Sequence, residues 1–152
     1  MSDSGGVGLV LAGGGARGAY ELGVLSVLLP VLEERGERPS VLVGTSVGAI
    51  NAAGIAASSH LSAAQAVSQE LERWREVDRG AVIRPILAGL PIKLMRYAGE
   101  VLSLPHVRLA SLLDPSPLER NLQQWIDWAQ MHENLAGGSL RCLAVVATAA
   151  HT

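Results

Sequence analysis

A chain of 152 residues with 49% hydrophobic residues, 17% charged residues and a formal net charge of -2 fits one domain around one buried core. With no block of like charges it offers nothing to a phosphate backbone, which argues against a nucleic-acid partner. No cationic segment precedes the first apolar run, no run approaches the roughly 18 apolar residues of a membrane span, and the single Cys142 rules out an internal disulfide. The expected location is cytoplasmic, compatible with peripheral contact at a membrane.

Val7 to Leu11 is an uninterrupted apolar run that ends in three glycines, the pattern of a strand buried on both faces and therefore parallel to its neighbours. From Ala16 to Arg35 apolar residues recur on nearly every face, which predicts a helix that Pro30 kinks or splits and Gly36 stops. Val41 to Val43 is a second β-branched run. It leads through Gly44 and Ser46 into Val47 to Ala57, a helix of small side chains suited to close packing on a sheet.

Ser62 and Gln65 have capping-box spacing and open an amphipathic helix to about Val77, with Glu70, Glu72, Arg73, Arg75 and Glu76 expected on its wet face. Between residues 80 and 113, Pro85, Pro91 and Pro105 break an apolar sequence into short helices and loops, a candidate lid or lipid-facing surface that core packing explains equally well. Ser116, Pro117 and Glu119 then mark the start of a helix running to about Leu135, Gly137 and Gly138 end it, and Leu140 to Ala147 is a third strand carrying Cys142 as a small buried hydrophobe. Strands alternating with helices predict an α/β fold: a doubly wound, mostly parallel sheet with helices on both faces and functional groups at the strands' C-terminal ends.

Both glycine-rich turns fall at such ends. In Gly44-Thr45-Ser46-Val47-Gly48 the flanking glycines remove Cβ atoms from a sharp strand-to-helix turn, so that a serine can stand at its apex and at the N-terminus of the next helix. That is how a weak hydroxyl nucleophile is presented to an ester. Gly13-Gly14-Gly15-Ala16-Arg17-Gly18 admits two readings. As G-x-G-x-x-G it suits a dinucleotide pyrophosphate, for which Glu33 or Glu34 would have to serve as the ribose acid, although both lie in the helical run rather than after the second strand. As an oxyanion site, the N–H groups of Gly13, Gly14 and Gly15 turn toward one oxygen, and Arg17 adds charge or braces the loop.

Together, Gly-Gly-Gly-Ala-Arg-Gly-Ala-Tyr and Gly-Thr-Ser-Val-Gly-Ala-Ile-Asn-Ala-Ala resemble the patatin-like phospholipase family, as do Leu112 to Leu118 and the strand from Leu140. The resemblance implies a three-layer α/β/α acyl hydrolase that needs no cofactor or metal and acts on phospholipids or other acyl lipids through a Ser-Asp dyad. Ser46 is then the nucleophile, Gly13 to Gly15 with Arg17 the oxyanion hole, Gly44, Thr45, Val47 and Gly48 the elbow, and Gly18 the close of the first motif. The family's aspartate belongs to a later Asp-Gly motif that this sequence lacks. Asp114 reads as a turn residue, Asp127 as a solvated helix charge, and none of His60, His106, His132 and His151 has a strand-end context. The expectation is one domain over residues 1–152, truncated on its C-terminal side, whose free sheet edges call for a completing polypeptide or an oligomer. A non-catalytic, binding-only homologue is the alternative.

Overall fold

The computed structural model describes residues 6–76 and 116–147. The chain divides into two compact units, one made of Met1–Glu76 with Gln123–Thr152 and the other of Val77–Leu122. The sheet and both glycine-rich turns belong to the first. The predicted loops and short helices of 80–113, with Asp78, His106 and Asp114, lie outside the described residues, as do Asp3 and His151.

Three strands, β1 (Val7–Leu11), β2 (Pro39–Thr45) and β3 (Cys142–Val146), form a parallel sheet in the order β1-β2-β3, and helices surround it as in an incomplete doubly wound α/β fold. Helix α1 (Arg17–Glu34) joins β1 to β2, and α2 (Val47–Ala57) leaves β2 directly. The core forms where Leu29 of α1, Leu42 of β2, Ile55 of α2 and Ala66 of α3 (Ala63–Glu76) meet around a cavity of about 40 Å³. Leu42, Leu22 and Leu140 are at most 1% exposed, so this face of the sheet is closed, whereas Val10 on the alternate side of β1 is 80% exposed.

Local chemistry explains the element ends. Gly36 adopts φ 72°, which lets the Glu37 N–H reach the Leu32 carbonyl at 2.9 Å and stop α1. Of the kink or split expected at Pro30, the split does not occur: α1 runs unbroken from Arg17 to Glu34. Leu22, Leu25 and Leu29, all ahead of Pro30, anchor the first part of α1 in the core, and the proline removes one backbone hydrogen bond near the helix's end. At the start of α3 the Ser62 hydroxyl accepts from the Gln65 N–H and Gln65 Oε1 accepts from the Ser62 N–H, the reciprocal cap its spacing predicts.

Three further expectations are corrected. The single helix predicted from Ser116 is two, α4 (Ser116–Trp125) and α5 (Trp128–Ala136), because Ile126 is buried and Asp127 caps α5 by accepting from the Gln130 N–H at 2.9 Å. Asp127 is exposed, as expected of a solvated charge, and it also caps α5. Cys142 lies in β3 as predicted but is exposed, since no further strand covers that edge among the described residues. Buried Asn134 donates to the carbonyls of Ala56 and Ala57, both at 2.9 Å, and so ties α5 to the C-terminus of α2.

Glu70 is the third. It is 5% exposed rather than on the wet face, because Gly54 of α2 leaves the space that its carboxyl fills, beside Arg73. Burial pushes this carboxyl from 4.5 to about 7, against the pull of Arg73. The folded chain therefore holds the proton more tightly than the unfolded chain. The associated stability is fully present below pH 4.5 and is lost as pH rises through about 7. Glu70→Gln is expected to flatten that dependence and to stabilise the chain above pH 7 by about 3 kcal/mol. Thermal unfolding at pH 5 and pH 8 checks this, and an unchanged pH slope in the variant contradicts it.

Candidate active site

The sheet register brings the two glycine-rich turns together. Leu11 pairs with Gly44, so Gly13 and Ser46, each two residues further along parallel strands, leave the same end of the sheet side by side. A methyl carbon placed on Gly13 would stand 3.3 Å from Ser46 Cβ and 3.4 Å from the Thr45 carbonyl oxygen. A side chain at position 13 would press on Ser46, which would have to give slightly to admit it.

Ser46 has φ 53° and ψ -124°, and it is the one non-glycine residue with positive φ among the described residues. An L-residue adopts this conformation only when its surroundings enforce it, at a strain of about 1–3 kcal/mol. The flanking glycines do the enforcing. A Cβ on Gly44 would collide with the backbone of Gly48 and Ala49, and one on Gly48 with the carbonyls of Leu11 and Ala12. The bend at Ser46 thus exists because the start of α2 lies directly on the ends of β1 and β2. Ser46 is exposed there, ahead of the first N–H groups of α2, and its carbonyl accepts from Ala49 at 2.9 Å while Val47 points into the core.

The first turn closes onto α1 through Arg17 N–H to the Gly14 carbonyl at 3.2 Å and Gly18 N–H to the Gly15 carbonyl at 3.0 Å, with Gly15 at φ 57°. The N–H groups of Gly13, Gly14 and Gly15 have no acceptor among the described residues. Of the three, Gly13 is the one that lies against Ser46. Arg17 is exposed and lays its aliphatic stem over Gly14, with its Cβ 3.1 Å from where a Gly14 Cβ would be. Gly18 is buried under the Trp74 ring and Val47.

The arrangement is thus an exposed serine on a strained strand-to-helix bend, beside a glycine turn whose amides have no acceptor among the described residues, at the C-terminal edge of a parallel sheet. A comparison with family models agrees with it: the model described as patatin-like phospholipase matches residues 9–152. The chain belongs to the patatin-like phospholipase family. Its members are lipid acyl hydrolases in type. No curated protein and no solved structure matches the chain.

No described residue hydrogen-bonds the Ser46 hydroxyl. Asp127 is engaged in capping α5, and His132 Nδ1 lies 2.7 Å from the Trp128 carbonyl on its own helix. No group of three metal-ligating side chains occurs among the described residues, and no described helix is long and apolar enough to cross a membrane. Glu33, which the dinucleotide reading needed for a ribose, instead accepts from the Ala63 N–H at 3.0 Å and pairs with Arg38. It caps α3.

Sequence reasoning passed over three residues beneath the site. Glu21 accepts from the Ala12 N–H at 2.9 Å, Asn51 donates to the Gly18 carbonyl at 3.0 Å and to Glu21 at 3.1 Å, and Trp74 Nε1 donates to Asn51 at 2.9 Å. One signal could have found Asn51. It is the single polar side chain in a helix otherwise made of Val, Gly, Ala and Ile.

Proposed function

We propose that the chain is the nucleophile-bearing part of a patatin-like serine acyl hydrolase acting on phospholipids or related acyl lipids. Ser46 Oγ attacks the ester carbonyl and the alcohol or lysolipid leaves. The acyl group stays on Ser46 until water releases the fatty acid. The negative charge on the carbonyl oxygen in each tetrahedral step is held by N–H groups of Gly13, Gly14 and Gly15. The observation that supports this reading is the close approach of Gly13 to Ser46 across two parallel strand ends, as expected if the hydroxyl and the turn's amides are to serve one carbonyl.

Arg17 is assigned to the loop, its stem bracing Gly14 while its charge favours an approaching phosphate headgroup. A second reading, a lipid-binding relative without turnover, draws support from the lack of a described base at Ser46 Oγ. General base catalysis contributes about 10²–10⁴, so its loss would leave a weak enzyme. Fatty-acid release from phosphatidylglycerol vesicles separates the two. The hydrolase reading expects release that Ser46→Ala lowers by on the order of 10⁴ or more. Vesicle binding without release, equal in both proteins, supports the binding-only reading.

A further inference from the structure

Both ends of the triglycine turn are tied to one amide, one end directly and the other through a carboxylate. Ala12, just before Gly13, donates its N–H to Glu21 Oε1 at 2.9 Å, while the carbonyl of Gly18, where the turn enters α1, accepts from Asn51 Nδ2 at 3.0 Å. The same Nδ2 donates to Glu21 Oε2 at 3.1 Å, which closes the loop of contacts. Asn51 is 1% exposed and lies on α2, five residues after Ser46. The helix that presents the serine therefore also carries the group that grips the turn.

The chemistry at position 51 requires an amide. Trp74 Nε1–H can only donate, so Oδ1 must face it, and the Gly18 carbonyl and the Glu21 carboxylate can only accept, so Nδ2 must face them. An aspartate cannot supply the donors, and a leucine of similar size supplies neither function. Nothing about α2 as a helix calls for asparagine, which has poorer helix propensity than the alanines around it. The cost of burying an amide is offset by three partners that all belong to the scaffold of the turn.

We propose that Asn51, oriented by Trp74 and linked to Glu21, is a positioning residue that fixes the Gly13–Gly15 turn relative to Ser46. This rests on the assignment of those amides to the oxyanion. It extends that assignment by naming what sets their distance from the nucleophile. A shift of about 1 Å at such a site is worth on the order of 10² in rate.

The test uses the full chain with Asn51→Leu, Asn51→Asp, Glu21→Gln and the exchanged pair Glu21→Gln with Asn51→Asp. It has two readouts: amide hydrogen exchange at residues 12–18, with Leu25 and Leu42 as controls for the fold, and the rate of Ser46 phosphonylation by a fluorophosphonate. Each single variant is expected to speed exchange at Ala12 about tenfold or more, leave the control amides protected, and slow phosphonylation by about 10²-fold. The exchanged pair regains part of both, because amide and carboxylate meet again with roles reversed while only the Gly18 contact is lost. Glu21→Gln, at a less buried position, keeps the test decisive if a substitution at 51 unfolds the chain.

Exchange at Ala12 unchanged in a folded Asn51→Leu protein, or an unchanged phosphonylation rate in a parent that labels, overturns the proposal and leaves the hydrolase reading standing. Exchange that responds as expected in a parent that never labels supports the positioning role while the hydrolase reading falls.

Discussion

Replacing Gly48 by alanine is expected to lower the melting temperature by about 6–12 °C. The added methyl has no free volume, because its position overlaps the carbonyls of Leu11 and Ala12 at the end of β1. Overpacked side chains typically cost about 1–3 kcal/mol when neighbouring side chains can rotate away. Backbone cannot rotate away, which puts this change at the upper end of that range or beyond, and for a chain of this size each kcal/mol corresponds to roughly 2–4 °C.

The relief the structure would find is to lift the start of α2 off the strand end, and that motion carries Ser46 away from Gly13. Reactivity at Ser46 is therefore expected to fall together with stability. Gly18→Ala provides the contrast. Its methyl would meet the Trp74 ring and Val47, side chains rather than backbone, so a somewhat smaller loss is expected there. Differential scanning fluorimetry of the two variants beside the parent checks both, and equal melting temperatures for Gly48→Ala and the parent would contradict the steric account of the elbow.

At Ser46 the expected effect has the opposite sign. Ser46 holds φ 53° and ψ -124°, a conformation that costs a side chain about 1–3 kcal/mol and glycine almost nothing. Ser46→Gly removes that strain and returns about 0.5–1 kcal/mol to the unfolded chain as extra entropy. The expected net gain is about 1 kcal/mol, or roughly 2–4 °C. Ser46→Ala keeps the Cβ and hence the strain, so its stability should match the parent while the hydroxyl is lost. A more stable glycine variant that cannot react would show that the serine is held at the bend at the expense of stability, as expected of a group presented for chemistry rather than for packing. Equal stability of the glycine and alanine variants would remove the strain from the account.

Much of the fold was legible in the sequence because the strands and first helices are written in apolar runs bounded by glycine. The limits of β1 and α2 follow from Val7–Leu11 and Val47–Ala57 as read, and the parallel pairing follows from strands without polar alternation. The family, too, was readable from the two glycine-rich turns, since their spacing and the residues after them are more specific together than apart.

The features that were not legible depend on partners far away in the chain. Asp127 is the solvated charge it looks like, but its second role as a cap emerges only where the buried Ile126 beside it interrupts the helix. Glu70 sits among charged residues on α3, and only the empty space over Gly54, sixteen positions earlier, draws it inside. Pro30 reads as a kink or a split because propensity sees the lost hydrogen bond and not the buried Leu22, Leu25 and Leu29 that anchor α1 ahead of it. Asn51 was passed over because its three partners, Gly18, Glu21 and Trp74, come from α1 and α3, and no local pattern unites them.

The most direct measurement is mass spectrometry of the chain after exposure to a fluorophosphonate. If the hydroxyl at the elbow faces a preformed cradle of amides, one phosphonyl adduct forms, it maps to the peptide containing Ser46, and it is absent from Ser46→Ala. A folded chain that takes up no adduct, or one whose adduct maps to a different residue, contradicts the account.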